Sequence, residues 1–189
     1  MKKWLFNPFV YLAGSRALFL GLIAMLATSF IGYYSHIHFD GVIDIHLGSI
    51  TSMNYFLEQV IDLGTIVVLF FIGGLIFSRS SIRLIDVAGT LALARWVMIF
   101  PAIIGFFISA PTAPPHTIEG ILKTLTPGMV VFGLFGVVFG IWMIALMYYA
   151  FTVSCNMKGG KATAIFIAVL VIAEIMSSFI IHLFLEPLF

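Results

Sequence analysis

Long apolar runs separated by short polar stretches dominate this chain. Five reach membrane-crossing length, at about residues 17–35, 55–78, 91–109, 129–151 and 162–185. An α-helix rises about 1.5 Å per residue, so a hydrocarbon core of about 30 Å takes about 20 residues. None of the runs alternates with period two, and in a bilayer the backbone polar groups must pair within the element, so helices are predicted rather than barrel strands. The expected fold class is all-α: one integral membrane bundle of five transmembrane helices occupying residues 1–189.

Two connections carry patterns of their own. Between the second and third runs, Ile82, Leu84, Ile85, Ala88, Leu91 and Ala92 recur at helical spacing with Arg79, Arg83 and Asp86 interleaved. That pattern predicts a helix lying at the cytoplasmic interface before the third span begins. Pro101 falls inside the third span and should kink it, while the prolines of "APTAPPH" after that span favour an extended turn.

The stretch "HIHFDGVIDIHL", residues 36–47, alternates polar and apolar positions around Asp40-Gly41, a strong hairpin signal. A three-residue turn over Asp40, Gly41 and Val42 would pair Phe39 with Ile43, Ile37 with Ile45, His38 with Asp44 and His36 with His46. One face would then be apolar and the other polar. The expectation is an extracytoplasmic lid whose apolar face lies on the helix ends. Its polar face gathers His36, His38, Asp44 and His46 at plausible zinc distances, but alternation alone generates such a face, so no metal is assigned.

Composition agrees with the pattern: 62% of residues are hydrophobic and 9% charged, against about a quarter charged in a soluble domain. A net charge of +1 gives no footprint for nucleic acid, and the single Cys155 cannot form an internal disulfide. "MKKWLF" resembles a signal n-region, but no small-residue cleavage site follows, so the first span reads as a retained anchor. Lys2, Lys3, Arg16, Arg79, Arg83, Arg95, Lys158 and Lys161 fall on one side of the five spans, with Lys123 opposed. Asp40, Asp44, Glu58, Asp62, Glu119 and Glu186 gather on the side of Lys123. This predicts a cytoplasmic amino terminus and an extracytoplasmic carboxyl terminus.

"SSIRLIDVAGTLALARWVMIFPAIIGF" and "GVVFGIWMIALMYYAFTVSCNMKGGKATAIFIAVLVI", the latter with its Gly160-Lys161-Ala162 turn, resemble segments of the YIP1 family, as does "NPF" at Asn7 to Phe9. The resemblance implies a five-helix membrane protein with a cytoplasmic amino terminus. In eukaryotes the family is linked to vesicle trafficking and small GTPases through a long cytosolic amino-terminal region. Only 16 residues precede the first span here, so what is carried over is the fold of a short bacterial-type member rather than a GTPase partner.

Motifs of catalysis are missing from the sequence: there is no GxSxG, HExxH, P-loop or zinc-type Cys/His spacing. The protein is therefore expected to be non-enzymatic and to need no cofactor. Its expected partners are the bilayer and other membrane proteins or a second copy. Gly133, Gly136 and Gly140 share a helical face that suggests close helix packing, or a path along a small-residue groove. Glu174, deep in the fifth span, costs about 2.5 kcal/mol or more to place there. It is expected to be hydrogen-bonded in the bundle, with the Trp142 indole as donor; Arg95, about 6 Å inside the cytoplasmic end of its helix, leaves an axial gap of about 12 Å to it, which only a tilted or deeper-set helix would close. Two roles remain open for Glu174: an interhelical clasp, or a proton- or ion-coupling carboxylate of a small transporter. The basic residues Arg79, Arg83, Lys158 and Lys161 follow the positive-inside rule, with attraction to anionic headgroups as the functional variant. Trp4, Tyr11, Tyr33, Tyr34, Trp96 and Tyr148 read as interfacial anchors, and His116 and His182 as polar groups near an interface.

Overall fold

The computed structural model describes residues 2–108 and 126–185, with side chains from Trp4 onward. The proline-bearing loop, His116, Glu119, Lys123 and Glu186 lie outside the described residues, as do the side chains of Lys2 and Lys3. The chain runs through α1 (Lys2–Phe6), a 3-10 turn (Pro8–Val10), α2 (Gly14–Ser35), strands β1 (Ile37–His38) and β2 (His46–Leu47), and α3 (Asn54–Phe77). It continues with α4 (Leu84–Ala94), α5 (Ile99–Ile104), α6 (Pro127–Ser154) and α7 (Gly159–Leu185). Among the described residues five helical stretches are long and apolar enough to cross a membrane: Gly14–Ser35, Asn54–Phe77, Leu84–Phe107, Pro127–Ser154 and Gly159–Leu185.

The third span is the centre of the bundle. Its most apolar window is 67% buried within the protein, against 17% to 33% for the other four. The segment expected to be a separate interfacial helix is the first half of this span instead. Val87, Leu91, Ala92 and Ala94 are buried among α2, α3 and α6, while the charges that suggested an interface, Arg83 and Asp86, sit at the helix start. The helical path loosens to a 3-10 turn at Arg95–Met98, one turn before Pro101, which has no N–H to donate to Val97. Trp96 consequently lies twelve residues into the span, stacked edge-on against Trp142, rather than at a boundary.

Helix α2 crosses α4 closely because both are glycine there. A Cβ on Gly21 would strike the backbone of Ala92 and Leu93, and one on Gly89 the backbone of Gly14 and Leu18. Among the described residues nothing lies within 4 Å of a Cβ added at Gly133, Gly136 or Gly140, so the close packing expected there is not made by the described helices. The three glycines line instead an open groove of about 350 Å³ against Ile43, Asp44 and Ile45. Overpacking a tight site costs about 1–3 kcal/mol. Gly89→Ala should therefore lower the thermal midpoint in detergent clearly, and Gly136→Ala should leave it unchanged.

Candidate functional site

The site is built around the connection between α2 and α3. Helix α2 ends at His36, whose left-handed backbone (φ 57°) turns the chain back while its N–H bonds Gly32 O. Gly32 has no room for a side chain, because Ile37 O packs against it. The hairpin pairs Ile37 with Leu47 and His38 with His46. The expected register is thus displaced by two residues. The sorting of faces survives, since two is the side-chain period, but the tight turn is replaced by a seven-residue tip, 39–45.

The tip departs from a ladder because helix side chains bind its backbone. Phe39 N–H donates to Glu58 Oε2 at 3.1 Å, and Ile43 N–H donates to Glu174 Oε2 at 2.9 Å. Val42 O accepts from Arg95 Nη1 at 2.9 Å, and Asp40 O accepts from Ser178 Oγ at 3.2 Å. Leaving one such buried group unpaired costs about 1–3 kcal/mol, so these four bonds decide whether the tip is inside. Between them Ile37, Phe39 and Val42 are fully buried. A Cβ at Gly41 would meet Glu174 Oε1, so a side chain there would push the Glu174 carboxylate aside. The connection is therefore a plug in the bundle rather than a lid on its ends.

Beneath the tip lies a polar centre. Arg95, 1% exposed, donates from Nη2 to Asp62 Oδ2 at 2.9 Å and to Gln59 Oε1 at 3.2 Å, and from Nε to the same Gln59 oxygen at 3.3 Å. Asp62, fully buried, also accepts from Ser177 Oγ on α7. Asp62 lies about 12 Å and Glu174 about 16 Å from the hairpin ends of their helices. Arg95 is about 17 Å into its span, not about 6 Å, because the span starts at Leu84. Arg95 and Glu174 meet through the plug, each binding one of the successive residues Val42 and Ile43.

Trp142 is not the donor to Glu174. Its indole N–H bonds Leu5 O at 2.9 Å and its ring packs on Trp96 and Phe100. Helix α7 lies mainly along α3, so Glu174 turns toward the plug and away from α6. Glu58 and Asp62, which the charge pattern marks only as acids on the side of Lys123, are central to the site together with Gln59. Their signal was available: two acids one turn apart with an amide between them, inside an apolar run.

His36 stands apart from the other two histidines of the hairpin. His36 Nδ1 meets Ser49 Oγ at 3.1 Å. His38 stacks on His46 with centroids 5.9 Å apart, and its Nδ1 lies 3.3 Å from Glu58 Oε1, at ion-pairing distance but off the line of a hydrogen bond. Donor atoms of Asp40, Asp44 and His46 lie within 4.8 Å of one another. They replace the His36, His38, Asp44 and His46 set expected from alternation. Asp40 Oδ1 is bonded to His46 Nδ1 at 2.7 Å, and Asp44 Oδ1 accepts from Ile45 N–H.

Hydrogen bonding to Asp40, helped by the charges of Asp40, Asp44 and Glu58, outweighs desolvation and raises His46 from 6.5 to about 9. Burial by itself would raise Asp40, but its hydrogen bond to His46 and the nearby histidine charges hold it below 3.8. The stabilisation from His46 is complete below pH 6.5 and fades as pH rises through about 9, while that from Asp40 is complete above 3.8 and fades in acid. Titrating His46 by NMR should give a midpoint near 9 that moves toward 6.5 in Asp40→Asn.

Five apolar spans enclosing a polar centre define a multi-pass membrane protein. No family model, curated protein or solved structure matches the chain. Removing one partner of a buried ion pair costs about 3–5 kcal/mol, whereas replacing both by apolar groups is often neutral. Arg95→Met should therefore destabilise strongly in detergent, and adding Asp62→Leu should recover much of the loss.

Proposed function

We propose that this chain is a non-enzymatic, YIP1-like membrane protein that organises the membrane, or scaffolds other membrane proteins, through its exposed helical faces. The observation that carries this reading is the use made of the buried polar groups. Arg95, Glu58 and Glu174 hold the protein's own plug, and Asp62 ties α7 to Arg95, which is the work of a clasp. Outside the clasp, α2, α3, α6 and α7 present large apolar side chains such as Phe19, Ile76, Leu134 and Ile175 to lipid or to a partner helix. The resemblance rests on "NPF", whose Phe9 enters the core, and on "GKA", whose Ala162 is buried at the start of α7. Arg16, Arg79, Arg83, Lys158 and Lys161, set against Asp40, Asp44 and Glu58 across the spans, support a cytoplasmic amino terminus in a bacterial inner membrane.

A transporter coupled to protons or ions is the second reading. One observation favours it: a run of titratable groups leads from Asp40 and His46 through His38 to Glu58, beside Gln59, Arg95 and Asp62. Gln59 Nε2 is buried there without a hydrogen-bond partner among the described residues. Liposome flux assays separate the two readings. A scaffold gives no proton or cation flux above protein-free vesicles and retains specific membrane-protein partners in pull-downs from native membranes. Glu174→Gln keeps an acceptor for Ile43 N–H, so under the scaffold reading it should preserve both stability and capture. A flux present in the wild type and abolished in Glu174→Gln would establish transport instead.

A further inference from the structure

At the end of the bundle opposite the hairpin, the turn after α3 and the turn between α6 and α7 border an open cleft of about 380 Å³, within the common range of about 300–1,000 Å³ for small-molecule sites. Its lining includes Arg79, Lys158 and Lys161 together with Ser78, Ser80 and Asn156, and contains no acidic residue among the described residues. Internal bonds shape the wall. Ser78 Oγ donates to Cys155 O at 2.7 Å, Asn156 Nδ2 donates to Ser80 Oγ at 2.8 Å, and Lys161 Nζ donates to Phe77 O at 2.9 Å. Arg79 and Lys158 are exposed and make no ion pair among the described residues, whereas neighbouring Arg83 lies 3.7 Å from Asp86.

We propose that this cleft binds the phosphate group of an anionic phospholipid. Three cations, hydroxyls and an amide meet there without a counter-charge among the described residues, a donor set suited to phosphate oxygens. The N-terminus of α7, two residues before Lys161, adds its positive end. Depth selects a lipid over a free anion. The cleft opens where α3 ends at Phe77 and α7 begins at Gly159, the level at which membrane helices leave the hydrocarbon. Exposed Leu75, Ile76 and Phe77 on α3, with Ile167 and Val171 on α7, run from that level along the lipid-facing surface where acyl chains would lie. The basic rim thus acts as a defined headgroup site beyond its part in setting orientation.

Arg79→Gln with Lys158→Gln tests this without touching Lys161, whose bond to Phe77 O belongs to the fold. The full-length protein, delipidated in detergent, is offered phosphatidylglycerol, phosphatidylcholine or inorganic phosphate, and bound lipid is read by native mass spectrometry alongside the thermal midpoint. The wild type should retain phosphatidylglycerol in preference to phosphatidylcholine, and the double variant should lose about thirtyfold of that preference while keeping its lipid-free midpoint. Equal retention of both lipids, or an undiminished preference in the variant, would overturn the site. Stabilisation by inorganic phosphate equal to that by phosphatidylglycerol would overturn the lipid assignment.

Discussion

Irregular backbone inside a helical membrane bundle must have its polar groups bound by protein, because hydrocarbon offers none. At the tip of the α2–α3 connection four backbone groups are bound by side chains on three helical spans: Glu58, Arg95, Glu174 and Ser178. Those helices are fixed relative to one another by holding a common object. The placement of charge inside an otherwise apolar protein follows from this single requirement.

Arg95 is the hub of the arrangement. Its planar fork reaches Val42 O, Gln59 and Asp62 at once, a task for which a lysine point charge is poorly suited. Asp62 passes the connection on to Ser177, so one guanidinium links the central span, α3, the plug and α7. The third span can occupy the middle of the bundle because glycines at Gly21 and Gly89 let α2 lie against it. A charge at its midpoint is tolerated because these contacts surround it completely.

Hydropathy made the five spans legible, since length and apolarity are properties of each run alone. The sorting of Ile37 and His38 onto opposite faces was legible for the same reason, but the hairpin register was not. Register depends on which partners the tip finds, and Glu58 and Glu174 lie 19 and 131 residues away from their bonds in the sequence. The interleaved Arg79, Arg83 and Asp86 pointed to an interface, whereas only the buried environment of Val87 and Leu91 identifies a central helix. That misplaced start made Arg95 look shallow and hid its partnership with Asp62. The Gly133, Gly136 and Gly140 face illustrates the opposite limit: a pattern that permits close packing does not say which helix, if any, takes it up.

The central claim is that residues 39–43 form a plug bound within the bundle, and it predicts how their amides behave. Hydrogen–deuterium exchange on the protein in nanodiscs reads it directly. Phe39 and Ile43 amides, donated to Glu58 and Glu174, should exchange as slowly as those in the middle of α3, and Ile43 protection should fall selectively in Glu174→Ala. Exchange of both amides at the rate of an exposed loop would contradict the account.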